Sequence, residues 1–374
     1  MAIIAFIITL FYVALIGSLI YGFDKVNEAL LQDIPAKTKF TVIVPFRNEA
    51  KQLPFLLASI IELNYPKDKF EFIFVDDESS DESVKLIEDF LKTFQNGSKL
   101  IKNNRQTIAP KKDAITTATK IANFEWIITT DADCILPKYW LDTFDYFIQN
   151  HDVKCIAAPV TLTKIDSFIK RFQVLDFMSL QGATIGGFGI SKPFLCNGAN
   201  FAYKLSFFKV INGFEGNTNI ASGDDIFLME KAVNLAPKQT FYLKSLHATV
   251  KTIPESNFKN LISQRIRWAA KTSNYSNLFG KFTGILVLFM NALIICLLMT
   301  TAAGIIHPKI LGYVFFVKFS ADFLLMFKTA RFFNQEQYLI SYFFASLFYP
   351  FFSVWVAFAS VFKGFEWKDR RFNR

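Results

Sequence analysis

Apolar residues crowd the two ends of this chain and thin out in its middle. Met1 to Phe23 carries no charged side chain, and from about Phe282 onward apolar residues dominate again, whereas Lys39 to Lys281 has charges in every stretch. The first run is about 20 residues, enough to cross a bilayer core as a helix. No Lys or Arg precedes it, so it lacks the basic start of a cleaved leader and reads as a retained anchor. Phe282 to Ile306 is also long enough to span. Ile310 to Phe327 contains Lys318 and Asp322, spaced to pair on one helical face, and such a pair faces protein or water rather than lipid. Tyr338 to Phe362 is a third apolar segment, with Pro350 near its centre. The predicted plan is an anchor at 1–23, a globular domain at 39–280, a membrane region of two or three transmembrane or re-entrant helices at 282–362, and a basic tail at 363–374.

Inside the globular stretch the pattern alternates. Phe40 to Phe46 (FTVIVPF) is a short apolar run rich in β-branched residues, the signature of a buried parallel strand. Glu49 to Leu63 then repeats apolar positions at helical spacing. Phe70 to Val75 predicts a second strand, Asp81 to Phe94 a second helix, Trp126 to Thr130 a third strand, with a helix after Pro137. Strand, helix, strand at this spacing predicts an α/β fold built on a mostly parallel sheet with right-handed crossovers. Ligands of such sheets bind at the carboxyl ends of the strands. Those ends carry Arg47-Asn48-Glu49, the acidic stretch Asp76 to Asp81, and Asp131-Ala132-Asp133. The stretch Phe168 to Ile190 is amphipathic and glycine-containing. It is too polar to span comfortably, and either lies in the membrane interface or packs on the domain.

Composition adds three constraints. The chain has 374 residues, 52% of them hydrophobic and 45 of them phenylalanine, an excess that the two apolar ends absorb. Its formal charge of +9 comes without a basic helix, zinc-finger spacing or aromatic-rich nucleic-acid motif, so no nucleic-acid partner is expected. Basic residues also gather on the cytoplasmic side of membrane proteins. The four cysteines, Cys134, Cys155, Cys196 and Cys296, show no metal-type pairing and suit a reducing compartment.

Each polar group at the strand ends has two readings. Asp131 and Asp133, one residue apart, can both approach a hard divalent cation, which takes one or two carboxylates beside waters and phosphate oxygens; a solvated turn is the alternative. Asp76-Asp77 can accept a nucleobase imide N–H or a ribose hydroxyl, and Ser80 or Asp81 just downstream would cap a helix. Asp224-Asp225 follows Gly223 and opens a helical pattern, where the macrodipole favours acids. A carboxylate there is equally suited to take a proton from an attacking hydroxyl. Arg267 can hold diphosphate oxygens and Trp268 can face a sugar, or the pair can anchor a helix at a membrane surface. Lys111-Lys112 brings an ammonium to phosphate or forms a solvated basic turn.

Taken in order, these stretches resemble the family-2 glycosyltransferases of the GT-A fold, in their membrane-bound branch. The resemblance runs from about Phe40 to Tyr275. VIVPFRNE looks like the first-strand signature and VDDESSDES like the nucleotide-binding loop. PKKDAI is similar to a Gly-Lys-rich motif, DAD to the metal motif, and CNGANFAY to an acceptor-side segment. SGDDIFL resembles the segment with the base, and QRIRW the glutamine-X-X-arginine-tryptophan motif. The resemblance implies that Pro45, Arg47, Glu49, Asp76, Asp77, Lys111 and Asp131 bind the nucleotide sugar, and that Asp131 and Asp133 hold Mg²⁺ or Mn²⁺. It implies Asp225 as the base beside Asp224, and Gln264, Arg267 and Trp268 at the diphosphate and acceptor end. Pro110 stands where the family has Gly before Lys, removing an N–H that could face phosphate.

The expectation is an inverting, metal-dependent transfer from a nucleotide sugar, a UDP-sugar by preference, to a lipid or lipid-linked acceptor. The alternatives are a processive polysaccharide synthase and a non-catalytic nucleotide-binding scaffold. Lysines follow the first anchor and none precedes it, which puts the globular domain in the cytoplasm as part of an integral protein of the cytoplasmic membrane. Three further spans would then carry the basic tail outside, against the same rule. The tail resembles a Trp-Lys-Gly-Arg ending with Asp369 in place of Gly.

Overall fold

The charge-free amino-terminal run forms one helix, α1 (Ala2–Lys25), in the computed structural model, which describes residues 2–362, 365–367 and 370–372. The chain then enters the alternating region with β1 (Phe40–Phe46), α2 (Leu53–Ile61), β2 (Phe70–Asp76) and α3 (Ser83–Thr93). It continues through β3 (Lys99–Lys102), α4 (Pro110–Thr119), β4 (Trp126–Thr129) and α5 (Trp140–Asn150), and then through β5 (Cys155–Ala157), β6 (Val160–Leu162) and α6 (Phe168–Gly189). A second globular stretch holds β7 (Phe201–Lys204), α7 (Leu205–Val210), α8 (Asp224–Leu235), β8 (Thr240–Tyr242) and β9 (Val250–Thr252). Four helices follow: α9 (Phe258–Ala270), α10 (Leu278–Ala302), α11 (Pro308–Phe333) and α12 (Tyr342–Phe362), then the short strands β10 (Phe365–Trp367) and β11 (Arg370–Phe372).

These elements divide into two compact units. One comprises Asn27–Thr163 and Cys196–Ile253; the other comprises Met1–Val26, Lys164–Leu195 and Pro254–Arg374. The first is built on a seven-stranded sheet in the order β3-β2-β1-β4-β7-β5-β8. β1 pairs in parallel with β2 and β4, β2 with β3, and β5 with β8, while β7 runs antiparallel between β4 and β5. The sheet is thus mostly parallel, as the alternation predicts. β1 and β2 are buried almost throughout, which is why they read as continuous apolar runs. The register sets Phe46 beside Asp76 and Asp76 beside Lys102, so the chain leaves β1, β2, β3 and β4 along one edge of the sheet.

The second unit is helical. α1 packs on α6, α10 and α11, and α12 on α9 and α10. Glycine permits the closest of these approaches. A Cβ on Gly22 would lie inside the backbone of Gly186, and one on Gly189 inside the backbone of Gly22. α6 therefore joins the helical unit, packing on α1 and α11 rather than on the sheet. Two of its buried polar residues are partnered: Gln173 exchanges bonds with the Glu255 backbone, and Asp176 accepts Arg265 Nε at 2.6 Å. Lys318 and Asp322 do pair, at 2.6 Å, and Tyr12 of α1 donates to the same carboxylate at 2.7 Å.

Among the described residues, four helical stretches are long and apolar enough to cross a membrane: Ala2–Lys25, Leu278–Ala302, Pro308–Phe333 and Glu336–Phe362. The expected second, charged segment is among them as α11, and Pro350 lies inside α12. At the tail, β10 and β11 pair antiparallel; Lys368 and Asp369, on which the Trp-Lys-Gly-Arg comparison turns, lie outside the described residues.

Candidate active site

The loops leaving β1 and β2 are stitched together by short polar side chains. Arg47 donates to the carbonyls of Asp77 and Glu78, at 2.8 and 2.9 Å. Asn48 N–H reaches Ser79 Oγ, the Asn48 side chain accepts Ser80 N–H, Glu49 N–H reaches Ser83 Oγ, and Ala50 N–H reaches Asp81. Asn48 and Glu78 hold positive φ angles, 52° and 63°, an uncommon conformation that these side-chain bonds sustain. Asp81 also accepts Ser83 N–H, but the N-cap position of α3 is Glu82 and has no side-chain cap, so neither Ser80 nor Asp81 takes the expected N-cap place. Pro45, the penultimate residue of β1, sits beside Val75 in the register.

Asp77 is buried beneath this loop. Arg105 Nε approaches it at 3.0 Å and Asn103 Nδ2 at 2.7 Å. Both residues follow β3, and neither is marked by any sequence pattern. The segment between β3 and α4 is held by Asp113, which accepts Gln106 N–H, Thr107 N–H and the Thr107 hydroxyl. Pro110 takes the first helical turn of α4, where a missing N–H costs nothing. The departure from the family's glycine is therefore compatible with a regular helix start.

The two lysines that open α4 go separate ways. Lys112, only 1% exposed, donates to the carbonyls of Asn217 and Ile220 at 2.7 and 2.9 Å and lies over the Phe227 ring. It holds the loop that precedes α8. Lys111 sits 2.7 Å from Asp131 Oδ1 and 3.1 Å from Asp224 Oδ2. Neither is a solvated turn residue. Burial alone would lower the Lys111 pKa; the charges of Asp131 and then Asp224 outweigh it and hold the ammonium well above its ordinary value.

Asp131 follows β4, whose Thr129 hydroxyl donates to the Gly198 carbonyl. Asp133 accepts the Thr252 hydroxyl at 3.2 Å. Asp224 and Asp225 open α8 after Gly223, which holds a left-handed φ of 83° that suits glycine. Asp225 accepts Gly198 N–H at 3.0 Å and Ile226 N–H at 2.7 Å, which fixes the plane of its carboxylate. Gly198 is the hinge of this cluster: a Cβ there would meet Asp224 Oδ2 at 2.8 Å and Lys111 Nζ at 3.1 Å. Beneath it the Tyr203 hydroxyl is buried and finds no hydrogen-bond partner among the described residues. Burial, then the charge of Asp224, push its pKa up. Nearby Asn200 is a structural hub, donating to the Pro159 and Ala248 carbonyls and accepting Trp140 Nε1.

The structure thus brings Asp131, Lys111, Asp224 and Asp225 together in one unit, with Arg47 and Asp77 on the same sheet edge. Gln264, Arg267 and Trp268 lie on α9, in the helical unit. There Gln264 donates to Glu255 at 3.0 Å, and the Trp268 ring packs against the Arg265 guanidinium and Phe177. The residue inside the motif that sequence left unassigned, Arg265, makes the buried ion pair with Asp176.

All four cysteines are free, and burial pushes the Cys134 and Cys155 thiols up. Asp131 and Asp133 supply two carboxylates one residue apart, the donor chemistry that a hard divalent cation takes. Among the described residues no group of three or more His, Cys, Asp or Glu forms a protein-only cage, and Mg²⁺ or Mn²⁺ bound beside a diphosphate needs only one or two carboxylates.

Residues 41–209 match the model of the family described as Glycosyl transferase family 2. The chain is similar to the poly-beta-1,6-N-acetyl-D-glucosamine synthase of Staphylococcus epidermidis, 22% identical over 358 residues that cover 88% of this chain and 81% of that protein. It is 32% identical over 114 residues to the poly(ribitol-phosphate) beta-N-acetylglucosaminyltransferase TarS of Staphylococcus aureus, a match covering 30% of this chain and 19% of that protein. In fold it resembles the mannosyltransferase PcManGT from Pyrobaculum calidifontis, solved in complex with GDP-Man and Mn²⁺, with a TM-score of 0.56, 18% identity and 96% of each chain covered.

Proposed function

We propose that this glycosyltransferase, whose residues 41–209 match the family 2 model, moves a sugar from a nucleoside diphosphate, with inversion, to a lipid or lipid-linked acceptor. The observation that carries this reading is the Lys111 bridge, which ties the carboxylate after β4 to the acidic start of α8. In the proposed site Asp77, flanked by Asn103 and Arg105, receives the nucleobase, with Pro45, Arg47, Glu49 and Asp76 shaping the loop around it. Asp131 and Asp133 hold the divalent ion, which supplies neutralising charge to the diphosphate. Asp225 takes the proton of the acceptor hydroxyl as its oxygen attacks the anomeric carbon. The bond from that carbon to the diphosphate oxygen breaks in the same displacement, so the nucleoside diphosphate leaves and the anomeric centre inverts. For Gln264, Arg267 and Trp268, motif resemblance supports a part in diphosphate and acceptor binding.

A UDP-sugar is the proposed donor, on the likeness to the nucleotide loop of the family. The four long apolar helices support an acceptor that reaches the enzyme through the membrane, and the lysines after α1 support a cytoplasmic catalytic face at the cytoplasmic membrane. A second reading, polymer synthesis, is favoured by the similarity to a polysaccharide synthase over 88% of the chain. Incubation with labelled donor and a membrane lipid extract separates the two. Label extractable into organic solvent after one addition supports lipid glycosylation, and long retained chains support the synthase. Exclusively small water-soluble products would overturn both.

A further inference from the structure

Lys111 has no step of its own in the transfer just described, yet it sits on two of its carboxylates. Its ammonium is 2.7 Å from Asp131 Oδ1 and 3.1 Å from Asp224 Oδ2, with the lysine 18% exposed, Asp131 38% and Asp224 12%. The position is built. Lys112, next in sequence, is pinned by two carbonyls of the 217–220 loop, which fixes the first turn of α4 and with it the stem of Lys111. Gly198 leaves the room in which the ammonium and the Asp224 carboxylate meet. Asp131 is also the carboxylate that a divalent ion would use.

We propose that Lys111 is a resident counter-cation that holds Asp131 and Asp224 in the nucleotide-free enzyme, so that the divalent metal binds strongly only together with the nucleoside diphosphate. This rests on the proposed metal-dependent transfer. A free metal ion meeting Asp131 has to separate it from an ammonium already held by two carboxylates, in a partly shielded cleft where such contacts are strong. An arriving diphosphate changes the balance. It offers Lys111 phosphate oxygens in exchange for Asp131, and it offers the metal the additional oxygens that two carboxylates alone do not supply. Metal and nucleotide then favour each other's binding, and by linkage the factor is the same in both directions.

The test is Mn²⁺ binding to the full chain in detergent, read from the loss of the free Mn²⁺ spin-resonance signal, with and without UDP or GDP. The wild type is expected to bind Mn²⁺ about tenfold or more tightly when a nucleotide is present. Lys111→Met is expected to bind Mn²⁺ alone about tenfold more tightly than the wild type and to lose most of the nucleotide effect; Lys111→Arg, which keeps the charge, is expected to preserve it. Lys111→Gln carries the same comparison should the methionine variant fail to fold. Nucleotide-enhanced binding in the wild type together with unchanged Mn²⁺ affinity in folded Lys111→Met or Lys111→Gln would overturn the role of the lysine and leave the metal site standing. Absence of Mn²⁺ binding in every form, nucleotide included, would instead overturn the metal reading itself and this proposal with it.

Discussion

Asp225 is oriented by two backbone N–H groups, those of Gly198 and Ile226, so replacing it need not disturb the fold. Asp225→Asn keeps the size of the side chain and one of its two acceptor oxygens, and removes the basicity. Turnover is expected to fall about 10²- to 10⁴-fold, with nucleotide affinity unchanged by calorimetry; equal loss of both would place Asp225 in binding instead. Gly198→Ala puts a methyl 2.8 Å from the Asp224 carboxylate and 3.1 Å from the Lys111 ammonium. Both are ends of flexible chains and can yield, so the melting midpoint should hold while turnover drops up to about 100-fold. A variant as active as the wild type would show that the spacing of these groups does not matter.

At this scale the acids were legible and their partners were not. Asp76, Asp77, Asp131, Asp133, Asp224 and Asp225 follow apolar runs or open a helical pattern, and those positions mark a sheet edge in any α/β chain. Arg105 and Asn103 were not legible, because the strand that delivers them is β3, a half-exposed edge strand of four residues (KLIK) without an apolar run. Lys112 was read only with Lys111 as a basic pair. Its burial against the carbonyls of Asn217 and Ile220 depends on a contact between positions 105 and 108 residues apart, which no local pattern encodes.

Among the elements, the buried central strands matched their apolar runs closely, β1 over Phe40–Phe46 and β2 to within one residue. The antiparallel strand β7 was invisible as such, since its four residues look like any short apolar stretch and only pairing gives its direction. α6 shows the same limit. Its glycines read as weakness in a helix, yet they are what lets α1 lie against it. The one polar pair predicted inside an apolar segment, Lys318 and Asp322, forms and gains Tyr12 as a third member. Lys318→Ala leaves the half-buried Asp322 with the Tyr12 hydroxyl but without its cation and is expected to cost about 1–3 kcal/mol. The double replacement Lys318→Met with Asp322→Leu should cost much less. Thermal midpoints in detergent rank the two variants; equal destabilisation would mean that the pair is held by its surroundings rather than by charge.

For the whole molecule, the chain plan of apolar ends around a charged middle corresponds to two interleaved sets of segments. The helical unit draws Lys164–Leu195 and Pro254–Arg374 to join α1, and the sheet unit draws Asn27–Thr163 and Cys196–Ile253. Composition located the four long helices but not this interleaving: α6 stood out as an amphipathic stretch without showing what it packs on, and α9 is too polar to be assigned to a helical unit from its sequence. The account of the whole rests on donor turnover at the sheet unit in a chain embedded by the helical one. The most direct measurement is release of nucleoside diphosphate by detergent-purified protein from UDP-, GDP- and dTDP-sugars, with membrane lipid extract and with or without Mg²⁺ or Mn²⁺. Metal-dependent release from one donor, abolished in Asp131→Asn and strongly reduced in Asp225→Asn, is the predicted result; release that ignores the metal and both substitutions would contradict it.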